Sequence, residues 1–295
     1  MQQRTSLIAL IGPPNAGKSS LTNEILGQKI SITSNKVQTT RNIIKAIITE
    51  GDTQMVLFDT PGLFIPKKDR PLERYIVKNA WQVIRQIDEV FLLIDGGQLA
   101  KGIKNIKNII SDLKKHEIVP KIIINKIDLI DNDIKEVTDE VLELGVEKIF
   151  FTSAKNGTGV AELKKYFLSL SIIRDWPFPK DDISDVSMKF LASEVTREKL
   201  FLKLKEDLPY AIDVTTESWE ERAEDIKIHQ VIYVLKDSQK KIIIGKDGGF
   251  LKKIGSSSRL ELSKMCGKKI HLFLFVKVKA GWMHDQESHL PSNYF

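Results

Sequence analysis

The chain has 295 residues, of which 42% are apolar and 28% are charged, a composition that excludes wholesale disorder and favours a globular protein of two domains. No apolar run approaches the roughly 18–20 residues of a membrane span, and the single cysteine, Cys266, excludes an internal disulfide and a cysteine-based zinc site. With a modest net charge of +6, these features predict a cytoplasmic protein.

From residue 6 to about residue 170, short β-branched runs alternate with longer segments of helical period. The predicted strands are Leu7–Ile11, Ile43–Thr49, Met55–Phe58, Val90–Ile94, Lys121–Ile124 and Lys148–Phe151. The predicted helices are Lys18–Leu26, Leu72–Gln86, Ile103–Lys115, Asp133–Leu144 and Val160–Leu170. This alternation predicts an α/β fold with a mostly parallel sheet, helices on both faces, and ligand binding at the carboxyl ends of the strands.

The segment GPPNAGKS at residues 12–19 fits the pattern G-x-x-x-x-G-K-[ST] between a strand and a helix. Such a loop turns its backbone N–H groups toward phosphates, while Lys18 reaches the β- and γ-phosphates and Ser19 offers a hydroxyl to Mg²⁺. The predicted phosphate contacts are Gly12, Pro13, Pro14, Asn15, Ala16, Gly17, Lys18, Ser19 and Ser20.

Three further patterns, each at the end of a predicted strand, indicate a guanine nucleotide. In DTPG, Asp59 is placed to hold Mg²⁺ through water, and the Gly62 N–H can meet the γ-phosphate. In NKID, the Asp128 carboxylate can accept two guanine hydrogens that adenine does not supply. In TSA, a backbone N–H can reach guanine O6. The contacts predicted from these patterns are Asp59, Thr60, Pro61, Gly62, Leu63, Asn125, Lys126, Asp128, Ser153, Ala154 and Lys155.

The polar, threonine-rich residues 32–42 (ITSNKVQTTRN) are predicted to form a mobile switch. Thr39 or Thr40 can coordinate Mg²⁺ only when a γ-phosphate is present, which would order the loop in one nucleotide state; the alternative is an ordinary solvated loop. The predicted metal ligands are Ser19, Thr40 and Asp59. The predicted catalytic residues are Lys18, Thr39, Thr40, Asp59 and Gly62.

The position after DTPG holds Leu63, where some GTPases have a glutamine that orients the attacking water. Leucine has no hydrogen-bonding group, so the sequence predicts slow intrinsic hydrolysis. Catalysis would then depend on the phosphate loop, Lys18 and Mg²⁺.

Around residues 174–182, the sequence RDWPFPKDD has two prolines that can continue neither a helix nor a central strand. We therefore predict a first domain at residues 1–173, a linker at 174–183 and a second domain at 184–295. In the second domain the predicted order is α-β-β-α-α-β. Its elements are a helix at Glu194–Lys205, strands at Ala211–Thr216 and Lys227–Leu235, a helix–turn–helix within Lys241–Gly267 and a strand at Ile270–Lys279.

Charge separates within the second domain. Residues 180–225 contain 13 acidic and 7 basic residues, whereas residues 236–279 contain 12 basic and 3 acidic residues. Two solvated faces of opposite sign would explain this separation alone. The basic block, however, contains a second glycine-rich turn (KKIIIGKDGGFLKKIG, residues 240–255), and this coincidence favours a surface that binds a polyanion.

These motifs together resemble the Era family of bacterial GTPases over nearly the whole chain. The matching features are GPPNAGKS, VQTTR, DTPG, NKID, TSA, REKLF, LPY, IIIGKDGGFLKKIG and FVKVKAGW. The resemblance implies a P-loop G domain followed by a type II KH domain. It also implies GTP and GDP as ligands with Mg²⁺, and binding of the 3′ end of 16S rRNA, rather than DNA, during assembly of the 30S subunit.

In a KH domain, a G-x-x-G loop clamps about four single-stranded nucleotides, and residues 245–248 match that loop. The RNA-binding residues implied by the resemblance are Ile244, Gly245, Lys246, Asp247, Gly248, Lys252 and Lys253. The chain departs from the family at Ala16, where valine is usual, and at Ser20, where threonine is common.

Similarity to relatives also implies a K⁺ ion near Asn15 that assists hydrolysis, and peripheral membrane association through basic surface. We expect a monomer. The alternative to a GTP-hydrolysing switch is an RNA-binding adaptor whose nucleotide is structural and is not turned over. Retention of Lys18, Ser19 and Asp59 favours the switch, because a structural nucleotide does not require γ-phosphate and Mg²⁺ groups together.

Overall fold

The computed structural model describes residues 2–34, 36, 39–62, 71–130, 139, 141–143, 145–146 and 148–280. The chain forms two compact units that divide between Asp185 and Val186. Among the helices in these described ranges, none combines the length and the apolar content that crossing a bilayer requires.

The first unit is built on a seven-stranded sheet. Its strands are β1 (Arg4–Ile11), β2 (Ile44–Glu50), β3 (Thr53–Asp59), β4 (Glu89–Asp95), β5 (Lys121–Asn125), β6 (Ile149–Phe151) and β7 (Ile172–Ile173). Its helices are α1 (Lys18–Leu26), α2 (Pro71–Ile84), α3 (Leu99–Lys115) and α4 (Val160–Ser169). The strand order is β2-β3-β1-β4-β5-β6, and β7 pairs with the start of β1. The predicted helix Asp133–Leu144 lies mostly outside the described residues.

The sheet is mostly parallel, as predicted. β1 runs parallel to both β3 and β4, and β5 runs parallel to β4 and β6, whereas edge strand β2 is antiparallel to β3. The central strands are runs of β-branched and aliphatic residues buried on both faces, which is the pattern of a covered parallel sheet. Because β1, β3, β5 and β6 end at the same edge, the four motifs that follow them are brought together there.

Residues 174–183, predicted to be a linker, follow the surface of the first unit. Arg174 makes a bidentate ion pair with Asp88 at 2.8 and 2.9 Å, and the Trp176 indole N–H donates to the Asp52 carbonyl at 3.1 Å. The Gln54 side chain accepts from the Phe178 N–H at 3.1 Å. The prolines end regular structure as expected, but Trp176 before Pro177 and Phe178 between the two prolines make hydrogen bonds with the first unit.

The same segment ends by pairing with the free edge of β2. Ser184 forms an antiparallel bridge with Ala46, and the Ile47 N–H donates to the Ile183 carbonyl at 3.0 Å. The Asp185 carboxylate accepts from the Lys45 N–H at 3.0 Å and lies 3.6 Å from its ammonium. The division between the units therefore falls two residues after the predicted linker.

The second unit has the predicted order α-β-β-α-α-β. Its elements are α5 (Met188–Lys203), β8 (Ile212–Glu221), β9 (Asp225–Val234), α6 (Asp237–Ile244), α7 (Gly249–Cys266) and β10 (Lys269–Val278). The sheet order is β10-β9-β8, with β9 antiparallel to β8 and parallel to β10. The helices bury one face of the sheet in clusters that include Val195, Ile228, Ile232, Ile254 and Leu262.

Candidate nucleotide and RNA sites

The loop between β1 and α1 has a backbone that glycine is needed to form. Gly12 has φ of +142°, and a Cβ at this position would lie 2.3 Å from the Leu93 carbonyl oxygen. The loop then enters α1 directly at Lys18, after Gly17 in a left-handed conformation. The first N–H groups of α1 are therefore available at the loop, in the arrangement that binds phosphate at helix N-termini.

The Lys18 side chain is buried against this loop and contacts its backbone. The residue is 6% exposed, and its ammonium donates to the carbonyls of Gly12 at 3.1 Å and Pro13 at 2.9 Å. Burial lowers the pKa of Lys18 from 10.5 to about 8, although the nearby Asp59 carboxylate opposes this shift. The cation is thus held beside the predicted phosphate position with little water around it.

The three predicted metal ligands converge beside Lys18. The Ser19 and Thr40 hydroxyl oxygens lie 2.8 Å apart. Asp59 is fully buried, and neither of its carboxylate oxygens has a hydrogen-bond partner among the described residues. Burial raises the pKa of Asp59, and the hydroxyls of Ser19 and Ser31 and the charge of Lys18 partly offset that rise.

This oxygen set fits Mg²⁺. Hydroxyl and carboxylate oxygens are the ligands that Mg²⁺ prefers, and a hydrated cation would give the two buried Asp59 oxygens the partners they lack. Thr39 is oriented differently, since its hydroxyl contacts Ser34 Oγ at 2.5 Å and donates to the Lys36 carbonyl at 2.7 Å. Of the two predicted switch threonines, Thr40 is the one whose hydroxyl lies against Ser19.

The predicted base-recognition carboxylate, Asp128, is held by its neighbours. It accepts from the Ser153 hydroxyl at 2.5 Å, and the Lys155 ammonium lies 3.8 Å away. The Ser153 hydrogen bond is the main cause that lowers the pKa of Asp128, and Lys155 and Lys126 act in the same direction. The carboxylate is therefore ionised at neutral pH and can accept from two N–H donors of a base.

Asn125 joins three segments of the site. Its amide N–H₂ donates to the Ala16 carbonyl at 3.0 Å. Its amide oxygen accepts from the Ala154 N–H at 3.1 Å and from the Thr152 hydroxyl at 3.2 Å. The side chain is almost completely buried, so it fixes the phosphate loop relative to the predicted base-binding loop.

Lys126 has a partner that the sequence motifs did not reveal. Its ammonium donates to the Asn15 carbonyl at 2.7 Å and to the Asp95 carboxylate at 2.8 Å. Asp95 is the last residue of β4, and its place at a strand end next to β5 was the available signal. The Asp95 carboxylate therefore holds the Lys126 ammonium against the phosphate loop.

Some of the remaining predicted nucleotide contacts make contacts within the protein, and one lies outside the described residues. The Thr60 hydroxyl is buried and donates to the Leu10 carbonyl at 2.7 Å, which leaves only its backbone for a ligand. Gly62 lies against Pro14 of the phosphate loop. Ser20 is half-buried in the first turn of α1. Leu63 lies outside the described residues.

In the second unit, the G-x-x-G turn connects α6 to α7. Gly245 has φ of +73°, and a Cβ there would lie 2.7 Å from the Cβ of Phe250. Gly248 also has positive φ, and nothing lies within 4 Å of the position its Cβ would occupy, so the turn backbone is open on that side. A single-stranded phosphate backbone can approach such a surface closely.

The side chains around this turn divide into core and surface. Ile243 and Ile254 are fully buried, and Ile244 is half-buried against the same core. The predicted RNA-binding lysines are all exposed: Lys246, Lys252 and Lys253. Asp247 is also exposed within the turn and has φ of +51°. The lysines thus surround an open backbone, as an electrostatic contact with RNA requires.

Comparison with known proteins identifies both units. Residues 7–126 match the family model described as 50S ribosome-binding GTPase, and residues 207–283 match that of the KH domain. The GTPase Era of Rickettsia conorii is 42% identical over 287 residues, covering 97% of this chain and 84% of the relative. That of Brucella suis biovar 1 is 42% identical, with 97% and 92% covered. The chain belongs to the GTPase Era family.

Two Era structures are similar to this chain over nearly its whole length. Era in complex with MgGDPNP and nucleotides 1506–1542 of 16S ribosomal RNA superposes with a TM-score of 0.86 at 32% identity, with 97% of each chain covered. A variant of Aquifex aeolicus Era bound to GDP·AlF₄⁻ superposes with a TM-score of 0.87 at the same identity and coverage. The predicted family, the G domain with a KH domain, and the GTPase activity are therefore confirmed.

Proposed function

We propose that this Era family GTPase is a switch that binds the 3′ end of 16S rRNA through the turn at residues 245–248 and acts in assembly of the 30S subunit. One observation carries the proposal. The same chain holds a convergent Ser19–Thr40–Asp59 oxygen set beside Lys18, and also an open glycine turn surrounded by exposed lysines. The first feature suits a triphosphate with Mg²⁺, and the second suits single-stranded RNA.

The relatives support this proposal. The Era structure with a TM-score of 0.86 holds both MgGDPNP and an rRNA segment, nucleotides 1506–1542. A G-x-x-G turn clamps about four nucleotides, so the KH surface of this chain beyond residues 245–248 would contact the remainder of any longer RNA. The exposed Lys252 and Lys253 on the first turns of α7 extend the basic surface in that way.

The proposed nucleotide contacts follow from the geometry. The loop at residues 12–19 receives the phosphates, and Lys18 stabilises the charge that develops on the γ-phosphoryl oxygens during transfer to water. Asp128 reads guanine by accepting from N1–H and N2–H. Ser19, Thr40 and Asp59 would hold Mg²⁺, which when bound neutralises charge on the β- and γ-phosphates.

Thr40 is the proposed switch ligand. Its hydroxyl lies 2.8 Å from Ser19 Oγ, whereas the Thr39 hydroxyl is bonded to the Lys36 carbonyl. Substitution Thr40→Ala is expected to weaken binding of a non-hydrolysable GTP analogue more than binding of GDP. Thr39→Ala is the matched control and is expected to have a smaller effect on that ratio.

A monovalent cation near Asn15 is proposed to assist hydrolysis. Such help would be needed because position 63 holds leucine, which cannot orient the attacking water as a glutamine does. Asn15 has φ of +65°, and its carbonyl already accepts from Lys126. Single-turnover hydrolysis in potassium is expected to exceed that in sodium, and the difference should vanish in Asn15→Ala. Equal rates in both salts for the wild type would reject the cation.

The RNA proposal is tested by a binding titration with a fluorescent single-stranded oligonucleotide of the 16S rRNA 3′ end. The double variant Gly245→Asp, Gly248→Asp places two carboxylates in the turn and should weaken binding by a factor of about 100 or more through loss of close approach and added repulsion. A variant with Lys203→Asp, on α5, adds negative charge outside the turn and serves as the control. Wild-type affinity in the double variant would contradict the assignment of the turn.

Turnover separates the switch from the adaptor alternative. Phosphate release is measured with and without the oligonucleotide, and nucleotide-dependent RNA affinity is measured with GDP and with a GTP analogue. No phosphate release in either case would support the adaptor, whose nucleotide is structural and is not turned over, whereas phosphate release together with different RNA affinities in the two nucleotide states would support the switch.

Three further sequence predictions stay predictions. A monomer is checked by sedimentation at micromolar concentration. Cytoplasmic location is checked by cell fractionation. Peripheral membrane contact is checked by flotation with anionic lipid vesicles at two salt concentrations, because binding through a basic surface should weaken as salt rises.

A further inference from the structure

Asp95 is linked to the phosphate loop through a single lysine. Its carboxylate accepts from the Lys126 ammonium at 2.8 Å, and the same ammonium donates to the Asn15 carbonyl at 2.7 Å. The other Asp95 oxygen accepts from the Gly97 N–H at 3.1 Å, which fixes the orientation of the carboxylate. The side chains of this ion pair are 31% exposed for Lys126 and 19% exposed for Asp95. Water therefore screens the pair less than it screens a pair on the open surface.

The order of the strands explains why this carboxylate reaches both loops. β4 lies between β1, which leads into the phosphate loop, and β5, which leads into the NKID motif. In the parallel register of β4 and β5, Asp95 lies beside Asn125, one residue before Lys126. The carboxyl ends of parallel strands meet at the ligand-binding edge of the sheet. A charged side chain at the end of β4 can therefore join the two loops on either side of it.

Both residues of the hydrogen bond between the loops have left-handed backbones. φ is +61° at Lys126 and +65° at Asn15. A residue with a Cβ adopts this conformation at a cost in energy, and it keeps the conformation where surrounding contacts hold it. Asp95 supplies the negative charge that keeps the Lys126 ammonium in place. Without that charge, a largely buried ammonium would lie beside a neutral carbonyl, so the contact between the two loops would weaken.

We propose that Asp95 is a positioning residue for the guanine nucleotide, which acts through Lys126 to hold the phosphate loop and the NKID loop in place for binding. The inference rests on the proposed nucleotide contacts of these two loops. A ligand binds more tightly to a site that is already ordered, and differences in affinity of this kind appear mainly in the rate of release. GDP and GTP share the base, the ribose and two phosphates, so Asp95 should slow the release of both nucleotides equally.

The test is the rate at which a fluorescent GDP is displaced by excess unlabelled GDP in stopped flow. Asp95→Asn keeps the size of the side chain and an acceptor for the Gly97 N–H but removes the negative charge. We expect release to accelerate by a factor of about 10 or more, and by the same factor for a fluorescent non-hydrolysable GTP analogue. Glu89→Gln is the matched control, because Glu89 pairs with Lys121 at the amino ends of the same two strands. Release from this control should stay within a factor of about 2 of the wild type.

A double-mutant cycle separates positioning through Lys126 from a general loss of structure. Lys126→Met keeps an unbranched side chain but removes the ammonium, so adding Asp95→Asn should then accelerate release by less than a factor of about 2.

The inference is overturned if the full Asp95→Asn effect persists in the Lys126→Met background, or if Asp95→Asn alone releases GDP at the wild-type rate. Asp95→Ser, whose hydroxyl can also accept from the Gly97 N–H, replaces Asp95→Asn if that variant does not fold. A wild-type protein that does not bind GDP would instead refute the nucleotide site itself.

Discussion

Lys18 is expected to take up a proton when a nucleotide binds. In the site as it stands, burial lowers its pKa from 10.5 to about 8, and its hydrogen bonds go to the carbonyls of Gly12 and Pro13. A bound phosphate would bring two or more negative charges within hydrogen-bonding distance, which raises the pKa of Lys18 far above 8. Nucleotide binding and protonation are therefore linked.

The size of the effect follows from that pKa. About half of the Lys18 side chains are neutral at pH 8 and about a tenth at pH 7, so binding should take up about 0.5 and 0.1 proton respectively. The same shift acts on folding. Between pH 8 and 10.5 the unfolded chain holds more protons at Lys18 than the folded chain, so the nucleotide-free protein should gain up to about 3 kcal/mol of stability as pH rises through this window.

Calorimetric titration of GDP in two buffers of different ionisation enthalpy measures the proton uptake directly. Excess EDTA is present, so that Mg²⁺ binding does not contribute its own heat or proton exchange to the titration. Lys18→Arg is the control, because arginine stays charged throughout this range and should show no uptake that grows with pH. Uptake in the wild type that is the same at pH 7 and pH 8.5 would refute the linkage.

Three substitutions test other parts of the first unit. Asp128→Ala removes the acceptor for two guanine N–H groups; GTP affinity should fall by a factor of about 100 or more while ATP affinity stays unchanged in a displacement assay. Asp185→Asn removes the negative charge facing Lys45, whose side chain is 6% exposed, so urea unfolding should show a loss of about 2 kcal/mol that Lys45→Met partly restores. Gly12→Ala sets a Cβ 2.3 Å from the Leu93 carbonyl oxygen, and thermal unfolding should reveal a destabilisation above about 3 kcal/mol.

The chemistry of the nucleotide site could be predicted from sequence because its motifs are local. Each one is a strand end followed by a short turn, and the turn fixes which side chains face the ligand. Lys18 and Ser19 therefore appear at the start of α1, and Asp59 at the end of β3, as the spacing indicates. The α-β-β-α-α-β order of the second unit could also be predicted from sequence. The hydrophobic period distinguishes its helices from its strands, and the glycine turn marks the boundary between α6 and α7.

What sequence could not predict are the contacts that join distant segments. The partners of Arg174 and Trp176, Asp88 and Asp52, lie 86 and 124 residues away, and no spacing rule connects them. Prolines mark where an element stops but not where the chain goes next. The choice between Thr39 and Thr40 was open for a similar reason, because it depends on which hydroxyl meets Ser19.

Edge strand β2 connects the switch segment to the carboxyl end of the first unit, two regions that are far apart in sequence. Its amino end follows the switch threonine Thr40 by four residues, and its free edge carries the bridge from Ala46 to Ser184. The Lys45 N–H and ammonium both contact Asp185, the last residue of the first unit. A rearrangement of the switch that displaces Lys45 would therefore disturb the hydrogen bond and the ion pair that Lys45 makes with Asp185, because both contacts are direct and Lys45 lies five residues after Thr40.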